Sequence, residues 1–132
     1  RAGEDALYWE HHGKYVPISG TINIMLLIEA NLSPGALAKA LITATEAKTA
    51  ALQDLRVYSP HSLLPATGTG TDGVILVSHL EGLVCKDVGT QSKLGEMLAD
   101  AVKSGVKDAL FKEEGLQEIA PRFARKTHSL RS

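Results

Sequence analysis

A single cysteine, Cys85, stands among the 132 residues, so no internal disulfide can form, and without a Cys-x-x-Cys neighbour it suggests no zinc site. It is expected to be a small buried or half-buried thiol rather than a nucleophile. Aromatic residues are scarce, at 5%, and neither charge sign is in excess, with 14 basic against 15 acidic side chains. That balance offers no basic surface for nucleic acid and none for a membrane. Apolar runs fall well short of the roughly 20 residues that span a bilayer, and no signal-peptide pattern is visible, so a cytoplasmic protein is expected. Hydrophobic residues reach 44%, enough for the single core of one globular domain. The sequence opens on Arg1 rather than methionine, which suggests a fragment or a processed chain.

The stretch Ala66-Thr-Gly-Thr-Gly-Thr-Asp-Gly-Val-Ile-Leu-Val77 organises the rest. Glycines and threonines around Asp72 form a tight polar turn, and the apolar run behind it reads as a buried strand. Hydroxyls and backbone N–H groups gathered on such a turn suit the gripping of a polar substrate group. Gly68, Gly70 and Gly73 also satisfy G-x-G-x-x-G, but that fingerprint follows a strand and opens a helix, whereas these glycines precede a strand. No nicotinamide or flavin cofactor is expected.

Around that stretch, residues 1 to 20 are compatible with a hairpin broken at Gly13. Adjacent His11 and His12 would point apart on a strand and make poor metal ligands. Residues 21 to 29 read as a strand apolar on both faces, hence covered on each side, with Asn23 on the odd-numbered face as either a loop partner or a substrate contact. Ser33-Pro34 starts a helix reaching about residue 55. Its phasing aligns Leu37, Leu41, Ala44, Ala51 and Leu55, with Lys48 in the middle of that stripe. A lysine so placed must snorkel, pair with a carboxylate, or line a cavity and do proton chemistry. Glu46 falls on the opposite, solvated face.

Residues 56 to 70 lack periodicity and are expected to be a functional loop or to hide a short strand. The strand 74 to 77 leads to His79, and with Glu29 this residue sits where ligands collect in open α/β sheets, beyond carboxyl strand ends. A second helix spans roughly 93 to 112 with Leu94, Leu98, Ala101, Gly105 and Ala109 in line, and Gly95 and Gly105 permit close packing. Lys93 in its first turn opposes the helix dipole, a hint that its charge serves something besides the helix. The basic stretch 121 to 132 reads as a frayed end. Strand, helix, strand, helix makes an α/β (or α+β) layered sandwich, a mixed sheet covered by helices, with the first two long strands parallel.

Four blocks taken in order, Gly20-Thr-Ile-Asn-Ile24, Thr43-Ala-Thr-Glu-Ala-Lys-Thr-Ala-Ala-Leu52, Ala66-Thr-Gly-Thr-Gly-Thr-Asp72 and Ser92-Lys-Leu-Gly-Glu96, resemble the motifs of the adenosylcobinamide amidohydrolase family, an archaeal-type cobinamide salvage enzyme. The resemblance covers residues 1 to 113, as one amidohydrolase-like domain that lacks the family's N-terminal portion, followed by a tail at 114 to 132. It implies hydrolysis of the amide joining aminopropanol to the corrin ring, giving adenosylcobyric acid for coenzyme B12 synthesis; no cofactor is expected, and no ligand cluster with metal spacing appears, though a metal-dependent hydrolase stays open. By matching motif, the catalytic positions are Lys48, Thr69, Thr71 and Asp72, and the substrate-binding positions are Asn23, Thr45, Glu46, Ser92, Lys93 and Glu96. Amide hydrolysis asks for a nucleophile, a proton donor for the amine and donors for the oxyanion. Thr71 or Thr69 would supply the hydroxyl or position a water, Lys48 would be base or acid, Asp72 would orient it, and turn N–H groups would hold the oxyanion. A corrin needs a wide cleft, compatible with a homo-oligomer. The alternatives are a non-catalytic corrinoid-binding or carrier module, and an amidohydrolase acting on another substrate.

Overall fold

The computed structural model describes residues 8–17, 21–59 and 62–114, so the basic stretch at 121–132 lies outside the described residues. Strands β1 (Tyr8–His11) and β2 (Lys14–Pro17) form an antiparallel hairpin. Its turn, His12-Gly13, holds φ values of 49° and 75°, and two successive left-handed residues give the twist that a two-residue hairpin needs. Strand β3 (Asn23–Leu32) leads through Ser33 into helix α1 (Pro34–Asp54). The two-residue β4 (Val57–Tyr58) adds to β1, so residues 56 to 70 do hold a short strand. Strand β5 (Gly73–Cys85) lies parallel to β3, and α2 (Lys93–Glu114) follows. Parallel and antiparallel pairings are divided between two sheets, β2-β1-β4 and β3-β5, rather than mixed in one. No helix among the described residues is long and apolar enough to cross a membrane.

Helix α1 begins where its chemistry dictates. The Ser33 side chain accepts from Ala36 N at 3.1 Å and Pro34 supplies a preset first turn. Its buried face is made of small residues, Ala36, Ala40, Ala44, Ala47 and Ala51, with Thr43, Lys48 and Leu52. Of the expected stripe, Ala44, Lys48, Ala51 and Leu55 are buried, whereas Leu37 is only half-buried and Leu41 is exposed. The cause is proximity: α1 touches both β3–β5 and α2, and methyl groups leave room where leucines would not. In α2 the inward residues are Leu98, Val102 and Val106, while Gly105 and Ala109 face solvent. Gly95 does permit a close approach, since a Cβ there would collide with the carbonyls of Val88 and Gly89, whereas one at Gly105 would meet nothing.

Thr43 donates to the Val88 carbonyl at 3.0 Å, and Asp54 takes Lys103 and Lys107 at 2.9 and 2.6 Å. The helices therefore run in the same general direction, joined at the middle and at the end of α1. The even-numbered face of β3, through Ile24, Leu26 and Ile28, packs into this core. The odd-numbered face does not: Asn23, Met25, Leu27 and Glu29 are exposed, so the strand expected to be covered on each side is covered on one. Strand β5 also runs far beyond residue 77, which puts His79 inside a strand instead of past its end. The register breaks there, moving from Ile28 opposite Ser78 to Ala30 opposite Leu83, and Gly82 fits the bulge because a Cβ would strike the Glu29 carbonyl.

Removing the cap tests this account of α1. Ser33→Ala leaves the Ala36 N–H without its partner, and urea titration should show a loss of about 1 kcal/mol with no change of fold.

Candidate active site

Where the carboxyl half of α1 passes the start of β5, the turn 66 to 72 folds against the helix. Thr49 Oγ1 donates to the Thr67 carbonyl at 3.0 Å, fixing the turn one residue from Lys48. Lys48 Nζ donates to Asp72 Oδ2 at 2.6 Å, with the two side chains 10% and 11% exposed. Of the outcomes open to a core-facing lysine, pairing with a carboxylate is the one realised.

Asp72 accepts four hydrogen bonds. Besides Lys48, Oδ2 receives Thr69 N at 2.9 Å, while Oδ1 receives Thr69 Oγ1 at 2.5 Å and Ile22 N at 3.1 Å. One carboxylate thus ties together α1, the turn and the entry to β3. Thr21 Oγ1 donates to the Thr71 carbonyl at 2.8 Å and Gly73 N to the Ile22 carbonyl at 3.0 Å, closing the same junction. Burial, the largest single influence, pushes the Asp72 carboxyl up, but hydrogen bonds from Lys48, Thr69 and Ile22 together outweigh it and hold it below the usual carboxylate value of 3.8. Asp72 is consequently a weak proton acceptor and a firm anchor. Gly68 is buried against the pair, where a Cβ would meet both Asp72 Oδ2 and Lys48 Nζ.

The anchored turn leaves Gly70 and Thr71 exposed, and their N–H groups carry no hydrogen bond to the described residues. Two exposed amides and one exposed hydroxyl, without a partner among the described residues, thus adjoin in sequence the buried carboxylate of the ion pair. Of the motif positions, Lys48, Thr69 and Asp72 are in contact, and Thr71 lies between the latter two in the turn. Asn23 is close by, opposite Gly73 in the β3–β5 register and exposed, so it bears no burial cost. Thr45 and Glu46 are exposed on α1, Thr45 one helical turn before Thr49, with its hydroxyl donating to the Leu41 carbonyl at 2.8 Å.

Ser92, Lys93 and Glu96 are not brought to the pair. Ser92 caps α2, accepting from Gly95 N at 3.0 Å and donating to the Gly89 carbonyl at 2.8 Å. Lys93 and Glu96 are exposed and 3.7 Å apart on the first turn, so Lys93, despite opposing the helix dipole, has a carboxylate beside it. This segment packs near Lys39 and Thr43, more than a turn along α1 from Lys48. The cluster also lies at the amino ends of β3 and β5, whereas Glu29 and His79 are farther along the strands and take no part in it. Thr21, Thr49 and Gly68 belong to the cluster and were missed; each adjoins a singled-out residue or motif, but single-residue spacing carries no sign of the contacts they make. No group of three metal-ligating side chains occurs among the described residues.

A family model described as adenosylcobinamide amidohydrolase matches residues 1–118. The chain is 47% identical over 108 residues to an uncharacterized protein of Methanocaldococcus jannaschii, an alignment covering 80% of this chain and 42% of that protein. It is 37% identical over 105 residues to an adenosylcobinamide amidohydrolase of Methanosarcina mazei, covering 70% of this chain and 47% of that one. It thus spans less than half the length of these curated relatives. No solved structure matches it.

Two measurements probe the anchor. Gly68→Ala should push Asp72 and Lys48 apart and cost about 1–3 kcal/mol in chemical denaturation. Asp54, like Asp72, ionises below 3.8: burial raises it, but Lys107 and Lys103 lower it by more. Depressed folded-state values mean that both contributions are complete above the unfolded carboxylate value and are lost as pH falls through the folded ones. Thermal midpoints should therefore drop below about pH 4, and Asp72→Asn should flatten that acid limb while lowering the neutral-pH midpoint.

Proposed function

The chain belongs to the adenosylcobinamide amidohydrolase family, and from that premise we propose that it hydrolyses the amide linking aminopropanol to the corrin ring of adenosylcobinamide. Water is consumed, and adenosylcobyric acid and aminopropanol are released. The observation that carries the reading is the exposed turn at Gly70 and Thr71, which sits between Thr69 and the Asp72 carboxylate that Thr69, Lys48 and Ile22 hydrogen-bond. Cytoplasmic cobinamide salvage is the setting proposed for it.

In the proposed reaction a water positioned by the Thr71 hydroxyl adds to the amide carbonyl carbon, or the hydroxyl itself adds, and the threonyl ester left when aminopropanol departs is then hydrolysed by water. The oxyanion so formed is held by the Gly70 and Thr71 N–H groups, donors of the kind that stabilise charge as it develops. Lys48 is the proton carrier: it gives a proton to the departing aminopropanol nitrogen and recovers one from the attacking hydroxyl or water. Asp72 keeps Lys48 in place, and Thr69 secures Asp72. Asn23 and Thr45, beside the turn, are assigned as substrate contacts, and Glu46, exposed on another face of α1, as a further one. Ser92, Lys93 and Glu96 are assigned to more distant parts of the corrinoid, a substrate wide enough to reach beyond the turn.

The test is to incubate the purified chain with adenosylcobinamide and follow the corrinoids by chromatography and mass spectrometry. The expected outcome is adenosylcobyric acid in equal amount to free aminopropanol. Thr71→Ala should lower kcat roughly 100-fold or more with little effect on corrinoid binding. Near-normal turnover by a folded Lys48→Met variant would overturn the proton-carrier role, and binding without turnover would favour a carrier function.

A further inference from the structure

Among the described residues, the β3–β5 sheet has helices on one side only. On the other, Met25, Leu27, Ile75 and Val77 are 65%, 73%, 56% and 46% exposed. The register sets Met25 beside Ile75 and Leu27 beside Val77, so the four form one contiguous apolar patch. Exposed polar residues, Asn23 and Glu29 along β3 and His79 along β5, border it. Patches of this kind mark places where another surface belongs. Parallel sheets, moreover, are found covered on both faces, and the covering layer is helical. Each of the two strands also has an edge without a partner strand among the described residues, and two strands alone make a marginal sheet.

We propose that this face seats helical polypeptide from the portion of the family's chain that lies outside the stretch matched here, laid with an apolar stripe against Met25, Leu27, Ile75 and Val77. The relatives have the length to provide it, since the matched stretches occupy 42% and 47% of them. A second copy of this chain is the poorer occupant, because it would bring a bare parallel sheet to the contact where a parallel sheet takes helices. The inference uses family membership and not the hydrolysis proposed above, so the two can fail separately.

The test adds the unmatched portion of the Methanosarcina mazei relative, as a separate polypeptide, to this chain and follows the mixture by sedimentation. The expected result is a monomer alone and a one-to-one complex on mixing, weakened at least ~10-fold by Leu27→Glu or Ile75→Glu. Neither substitution should move the thermal midpoint of the isolated chain, where both side chains already meet water. In the intact relative, glutamate at the positions matching Leu27 and Ile75 should lower the midpoint by several degrees, roughly 2–4 °C for each kcal/mol lost. An unchanged midpoint in the intact relative would overturn the proposal whatever the mixing experiment gives. So would a self-dimer of this chain dissociated by Leu27→Glu, which assigns the face to a second copy, or a mixed complex indifferent to both substitutions.

Discussion

Everything that positions the turn depends on one carboxylate. Asp72 is reached by a side-chain ammonium from α1, a hydroxyl and an N–H from its own turn, and an N–H from the entry to β3. A carboxylate has about four lone-pair sites, and all are used. A buried charge with less support would be neutralised or expelled. With this support it stays ionised and turns three separate segments into one rigid junction. Such pairs add little net stability compared with an apolar replacement, so the case for this one rests on geometry: it fixes what the turn can present.

The alanine face of α1 makes that geometry possible. Lys48 reaches Asp72 at 2.6 Å because the helix lies close to the β3–β5 unit, and it lies close because Ala36, Ala40, Ala44, Ala47 and Ala51 separate it from its neighbours. The far side of the junction is held by another shared acid, Asp54, between Lys103 and Lys107. Since α1 is pinned at its middle to Val88 and at its end to α2, it has little freedom to slide past the turn.

Much of this was legible from residue order. Ser33-Pro34 announced α1, the apolar run after Asn23 announced β3, and the polar turn before Val74 was placed correctly against a strand. Lys48 stood out because a charge in phase with apolar residues must be answered by something buried. Its partner was not legible, for Asp72 lies 24 residues away and no spacing rule connects a helix to a turn at that distance. The helix stripes hold at Ala44, Lys48, Ala51, Leu55 and Leu98 and fail at Leu41 for a physical reason: hydrophobicity favours leucine for the interior, while close packing between a helix and two neighbours favours alanine. The sheet was misread because apolar residues on both faces signal two covering layers, and the described residues contain one. The two residues of β4 are too few for any periodicity.

The Ile22–Asp72 hydrogen bond joins residues 50 apart, and the β3–β5 pairing closes a loop of the same size. Contacts of such long sequence separation are the slow ones to form, since the entropy of closing the loop must be met before they return any energy. Helix α1, by contrast, can be drawn from local contacts alone. A nascent chain would therefore carry α1 early, with Lys48 unpaired, and would gain the polar turn only when β5 has been made and docked. The full set of Asp72 hydrogen bonds is completed only with the sheet, because one of its donors, Ile22 N–H, lies at the entry to β3.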